Sequence, residues 1–335
     1  MSFLDHRYIR FIARRMLQAA GLVLLLIALN FALIHLAPGD PAYLLAGQSG
    51  DEQYFAFIRT KFGLDQPLIV QLWHYLLNIA RGDFGFSLAY QQPVLKLVLG
   101  RLPATLLLMT TALLISSFGG VLLGVEAARR RNRLFDRAVT AFAAVSDAIP
   151  SFCLGQVALI VFALWFNLFP AQGMVSAGQE LTGLAWALDV VSHLALPAMT
   201  LAFVQMALIV RLTRTQMVQV LDEDFITAAR ARGLSERRIA YRHALRNALL
   251  PITTIIGCEC GMILSGAVLV ETVFAWPGLG RLMIDAIELR DYPVLLGLAL
   301  LVSIGVVVAN MLTDLAYALL DPRIDGANRI SGNSV

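Results

Sequence analysis

Six long apolar runs set the pattern of the chain: residues 16–37, 103–124, 135–169, 193–210, 252–274 and 294–315. A helix rises ~1.5 Å per residue, so about 20 apolar residues cross a ~30 Å hydrocarbon core. The third run is longer than one crossing and is broken by Asp147 and Pro150, so part of it must tilt, kink or project. The pattern predicts an all-α, polytopic membrane protein with six transmembrane helices. Residues 1–15 precede the first span, 38–102 form a mixed segment before the second, 103–320 hold a five-helix core, and 321–335 form a tail. Within 38–102, two short amphipathic helices are predicted near 52–61 and 67–81. A further short helix, opened by Pro277-Gly278, is predicted between the fifth and sixth spans.

The placement of charge orients the spans. Arg7, Arg10, Arg14 and Arg15 precede the first run, as in a signal peptide, but residues 16–37 exceed the ~7–15 apolar residues of such a peptide. The run ends in Pro-Gly-Asp rather than at a small-residue cleavage site, which predicts a retained span. Of 26 Lys and Arg, the segments assigned to the cytoplasm hold four, five, eight and two; those assigned outside hold five, none and two. The positive-inside rule then puts both termini in the cytoplasm and 38–102 outside as a small cap.

Composition narrows the chemistry. The chain is 58% hydrophobic and 15% charged, with a mean hydropathy of +0.72, against ~25% charge in soluble domains. Its two lysines, Lys61 and Lys96, follow no G-x-x-x-x-G run, so no P-loop exists here and any nucleotide hydrolysis belongs to a partner. Cys153, Cys258 and Cys260 lie in apolar runs and read as small buried hydrophobes. Neither H-E-x-x-H nor G-x-S-x-G occurs, which argues against an intramembrane enzyme.

The most informative stretch is 224–251, DFITAARARGLSERRIAYRHALRNALLP. Phe225, Ala228, Ala229 and Arg232 fall at i, i+3, i+4 and i+7, so a small apolar knob should line one face of a short helix. Gly233 should end that helix in the left-handed conformation, with Ser235 capping a second helix and Glu236 in its first turn. Tyr241, Ala244, Leu245 and Ala248 make the apolar face of the second helix, and Arg238, Arg242 and Arg246 a basic stripe beside it. An arginine-rich helix-turn-helix suggests DNA reading, but spans tether this one closely on both sides, so no nucleic acid is expected. The stripe instead suits inner-leaflet lipid phosphates, leaving the knob for a protein partner.

Thr227-Ala228-Ala229, then Gly233, then Leu250-Pro251 resembles the EAA loop of bacterial ABC-importer permeases. Thr227 stands where the general pattern has Glu, and Leu-Pro lies farther from the glycine. Both departures are shared by the dipeptide/oligopeptide/nickel branch. Leu36-Ala37-Pro38-Gly39-Asp40-Pro41, Gly82-Asp83-Phe84-Gly85, Arg101-Leu102-Pro103-Ala104-Thr105, the run from Glu271 to Leu282 and Asp321-Pro322-Arg323 resemble that branch's landmarks, in its order. The resemblance implies the type I ABC-importer permease fold. It also implies a homologous second permease, two ATP-binding-cassette subunits and an extracytoplasmic solute-binding protein, with no cofactor on this chain and ATP bound by the partners. Asp224, Phe225, Thr227, Ala228, Ala229, Gly233, Leu234 and Ser235 would then form the ATPase-coupling element in the 222–250 cytoplasmic loop. The solute would be a di- or oligopeptide, or nickel, an opine or a glutathione-like compound.

Charges in or near the spans are the other candidates, because an unpaired ionised group there costs several kcal/mol. Glu259 lies mid-run, and two roles stay open: meeting a solute's amino group in the pathway, or pairing with another subunit's arginine. Asp147, beside Pro150, either lines the pathway or satisfies backbone groups at a kink. Glu271, also a possible pathway residue, and Asp314 lie near span ends, where water can reach them. Gly261, Ser265 and Gly266 read as a close helix-packing surface, and His243 as structural. A self-sufficient secondary transporter is the competing class; a single copy of the fold without inverted repeats or an ion relay argues against it.

Overall fold

The structure is a computed structural model describing residues 6–36, 40–46, 51–178, 180–262 and 268–320. It divides into two compact units, Met1–Leu99 with Asp285–Val335, and Gly100–Ile284.

In the first unit, α1 (His6–Leu36) packs against α14 (Tyr292–Leu320), with α2 (Pro41–Ala46), α3 (Glu52–Phe62) and α4 (Leu68–Ala80) gathered on them. The two helices predicted near 52–61 and 67–81 are α3 and α4. Asp51 caps α3, accepting from Tyr54 N at 2.7 Å, and Gly63 ends it in the left-handed region at φ +60°. Ile27, Ile34, Ile58, Phe62, Tyr75, Ile79 and Leu300 form the core. Arg59 donates to Asp40 Oδ2 at 2.5 Å, and that hydrogen bond holds the Asp40 carboxyl below its ordinary range. A two-stranded antiparallel hairpin, β1 (Phe86–Ser87) and β2 (Gln92–Pro93), was not legible as strand. Asp291 Oδ2 pins it, accepting from Ser87 Oγ at 2.5 Å.

The second unit carries most of α5 (Val94–Arg129), then α6 (Leu134–Ala148), α7 (Ser151–Ala158) and α8 (Gly183–Leu221). The long third run bends by 103° between α6 and α7, at Ile149-Pro150, because proline cannot donate to the helix ladder. A π-helical stretch, Leu159–Trp165, continues α7. At 39 residues α8 is roughly 58 Å long, so the span expected over 193–210 extends well past a bilayer core at its ends.

Among the described residues, four helices are long and apolar enough to cross a membrane, or five with the bent pair taken as one span. The expected fifth run is divided between α11 (Leu245–Met262) and α12 (Val268–Val273), with the residues between them outside the description. The tail expected in the cytoplasm, 321–335, Ser265 and Gly266, and the side chains of Cys258, Glu259, Cys260 and Asp314 also lie outside it.

One packing device went unread in the sequence. Gly120 and Gly124 of α5 face α8 so closely that a Cβ on Gly124 would stand 2.6 Å from Thr213 Cβ, and one on Gly120 2.7 Å from Ile209 Cγ2. Small residues at a four-residue spacing let helix backbones approach where lipid offers no hydrophobic drive to pack.

Candidate coupling surface

Residues 222–250 join α8 to α11, and each turn has a local cause. Helix α9 (Asp224–Ala231) follows an extended Glu223 that makes no side-chain cap, and Asp224 sits in its first turn, favourably placed on the helix dipole. It ends as predicted. Gly233 has φ +76°; its N–H donates to Arg230 O at 2.9 Å and Leu234 N–H to Ala229 O at 3.4 Å, the two bonds of a Schellman turn. Ser235 then caps the next helix, its Oγ accepting from Arg238 N at 3.4 Å. Glu236 Oε1 accepts from Arg230 Nε at 3.0 Å, tying the two sides of the turn together.

The second helix begins as α10 (Glu236–Arg238), widens into a π-helical stretch (Ile239–Ala244) and continues as α11. Such a widening inserts an extra residue per turn and often marks functional positions. Arg238, Arg242 and Arg246 are exposed, while Ala244 and Ala248 are buried as expected.

The facing of α9 departs from the sequence expectation. Phe225, Thr227 and Ala228 are exposed, Phe225 by 39%, but Ala229 is only 8% exposed and belongs to the inward face with Ile226, which is fully buried. These two pack on Val125 and Ala128 of α5, Met217 and Val220 of α8, and Ile239 and Ala240. Ile226 and Ala229 are three residues apart and so share a face; the larger side chain takes the core and rotates Phe225 and Ala228 outward. Leu234, just past the turn, is half-buried against the same cluster. The exposed knob is thus Phe225, Thr227 and Ala228, seated on the ends of two long apolar helices.

Of the pathway candidates, Asp147 lies on the last turn of α6 and is exposed, with Arg211 of α8 donating to it at 2.9 Å. It therefore pairs with a cation rather than capping the kink. Asp136, in the first turn of α6 and 3% exposed, was not among the candidates; it takes a bidentate pair from Arg214 at 2.5 and 2.8 Å. The signal was there: two acids on one apolar run and two arginines just past the end of another.

Glu271 corrects the expectation of a wet charge at a span end. It is fully buried. Thr105 Oγ1 donates to its Oε1 at 2.7 Å and Arg281 N to its Oε2 at 3.1 Å, while Leu279 N donates to Thr105 Oγ1 at 2.8 Å. Gly278 lies directly over the carboxyl: a Cβ there would be 2.3 Å from both oxygens. Trp276, also fully buried, donates Nε1–H to Ala104 O at 2.9 Å. The carboxyl holds the turn between α12 and α13 (Leu279–Glu288) against α5, with no face left open for a solute. Among the described residues no group of three His, Cys, Asp or Glu is placed to hold a metal.

Comparison with known proteins gives this geometry its setting. Residues 120–326 match the family described as the binding-protein-dependent transport system inner membrane component, and residues 8–109 match the N-terminal membrane component of such systems. The chain is 37% identical over 316 residues to the glutathione transport system permease protein GsiC of Salmonella choleraesuis (strain SC-B67), covering 94% of this chain and 99% of that one. It is 38% identical over 334 residues to the dipeptide transport system permease protein DppB of Escherichia coli (strain K12), covering 94% and 98%. The resemblance read from the EAA-like loop therefore extends over almost the whole length, and the chain belongs to the inner-membrane permease components of binding-protein-dependent transport systems, which are transport subunits rather than enzymes.

Proposed function

We propose that this permease couples an ATPase partner to import of di- or oligopeptides or similar small solutes, with α9 as the coupling element. The observation that carries the reading is the exposed knob of Phe225, Thr227 and Ala228 on a helix whose other face is fastened to α5 and α8. A push on such a knob moves the long apolar helices with it, because the cluster beneath is close-packed and transmits displacement. Asp224, Gly233, Leu234 and Ser235 shape the knob; Ala229 anchors it from below. The chain has one such element, so a homologous second permease and two ATPases complete the assembly, fed by an extracytoplasmic binding protein. ATP binds and is hydrolysed on the partners. Asp147 with Arg211, and Glu259, are the pathway candidates. The names of the relatives favour a peptide or glutathione-like solute, and thermal stabilisation of the cognate binding protein by candidate solutes tests it.

The facing of α9 supplies the decisive comparison. Ala228→Glu is expected to leave membrane levels near wild type while ATPase co-purification and transport are lost, since it puts a charge on an exposed docking face. Ala229→Glu should instead lower the yield of the permease itself by burying a charge in its own core. If Ala228→Glu retains the ATPase and transports normally, α9 is not the coupling element.

Orientation is tested with single cysteines on a background lacking Cys153, Cys258 and Cys260. Ala177→Cys should react with an impermeant maleimide in intact cells, and Ser235→Cys only once the membrane is opened. Reaction of Ser235→Cys from outside would invert the proposed topology.

A further inference from the structure

Helix α4 is amphipathic in the wrong sense for a helix in a water-surrounded cap. At 100° per residue its four polar residues, Gln71, His74, Tyr75 and Asn78, fall on one side. That side faces the protein. Gln71 and Tyr75 are buried; the Gln71 amide bonds the His35 ring at 2.7 Å and donates to Gln66 O at 2.8 Å, and Tyr75 Oη donates to Asn30 Oδ1 at 3.1 Å. The opposite side is Ile69, Val70, Trp73, Leu76, Leu77 and Ala80, without a polar atom beyond the backbone and the Trp73 indole N–H. Ile69 is 73% exposed and Trp73 60%. Against water this arrangement forfeits most of the apolar burial that holds a surface helix in place.

The register of α4 on α1 says what covers the outer side. Gln71 meets His35, one residue from the end of α1, and Tyr75 meets Asn30, five residues further in. The inward side chains of α4 therefore meet a membrane-spanning helix from its rim to ~8 Å inside it. At that depth α1 itself leaves Leu29, Leu33 and Leu36 exposed. An indole between apolar and wet surroundings is the residue type enriched at that level.

We infer that α4 is an interfacial helix outside the count of spans, lying in the bilayer boundary at the C-terminal end of α1 with Ile69, Trp73 and Leu77 against lipid. It docks the 38–102 segment onto the membrane as well as onto α1. The inference rests on membrane placement of the family and not on the coupling or solute readings, so it stands or falls separately from them.

Nitroxides attached at Ile69→Cys, Trp73→Cys and Leu77→Cys, one at a time, in the reconstituted complex with its partners and binding protein, test it. Gln53→Cys on α3, which is exposed, serves as the aqueous reference. Collisions with oxygen should exceed those with a water-soluble nickel chelate at all three α4 sites, and the order should reverse at Gln53. Dominant collisions with the nickel chelate at α4 would place this face in water and overturn the inference. Low collisions with both reagents, with an immobilised label, would place a protein partner there and overturn it equally. Neither outcome depends on which side of the membrane is outside.

Discussion

Gly278→Ala is expected to destabilise the permease by about 3 kcal/mol and to lower its thermal midpoint and its yield in detergent. The added methyl would sit 2.3 Å from both Glu271 oxygens, where ordinary contact needs more than an ångström of further separation. A carboxyl at the end of a free side chain would swing aside, but this one has nowhere to go. It is fully buried and held by Thr105 Oγ1 and Arg281 N, so moving it leaves donors and acceptor unpaired. Each buried group so stranded costs ~1–3 kcal/mol, and a displaced buried carboxyl more, against total stabilities of about 5–15 kcal/mol. A net loss near 3 kcal/mol corresponds to roughly a hundredfold in the folded-to-unfolded ratio. Glu271→Gln keeps the shape and an acceptor for Thr105 but turns an amide N–H₂ toward a backbone donor, so it should be intermediate. The readouts are the monodisperse yield in detergent and the thermal midpoint of the purified permease. A Gly278→Ala protein with wild-type yield and midpoint would mean that this carboxyl does not hold the turn.

Gly233→Val should have the opposite profile: near-normal yield and a loss of transport of an order of magnitude or more. No atom lies within 4 Å of the position its Cβ would take, so nothing in the core is disturbed. The cost is in the backbone, because φ +76° is poorly accessible to a β-branched residue, at ~1–3 kcal/mol. That is too little to unfold the spans but enough to open the Schellman turn that fixes the exit of α9. Gly233→Asn is the control, since asparagine tolerates left-handed backbone far better than valine and should retain most transport. Transport in vesicles, with ATP hydrolysis stimulated by loaded binding protein, reads the coupling; permease yield reads the fold. Normal stimulated turnover in Gly233→Val would show that the turn does not set the docking geometry of α9.

The two glycines differ for a reason the sequence alone does not carry. Gly233 is needed for its own φ, a property of one residue in a helix-ending pattern. Gly278 is needed for what lies over it, and the partners of Glu271 include Thr105, 166 residues away. The same divide runs through the whole chain. Apolar run length gave the polytopic helical fold, and turn chemistry gave α3, α4, the Gly233 turn and the Ser235 cap, because these depend on interactions within a few residues. Periodicity placed Ala228 and Ala229 together on a knob. Which of them faces inward was decided by Ile226 finding a cluster made by α5 and α8. Composition flagged Asp147 and Glu271 as charges in apolar surroundings, but only the folded chain pairs one with Arg211 and seals the other beneath Gly278. The 103° bend, the close approach at Gly120 and Gly124, and the polar side of α4 turned inward are likewise set by neighbours distant in sequence. Local propensity fixes where helices start and stop; the direction each face points is settled by long-range packing, and that direction makes α9 a candidate lever and Glu271 a clamp.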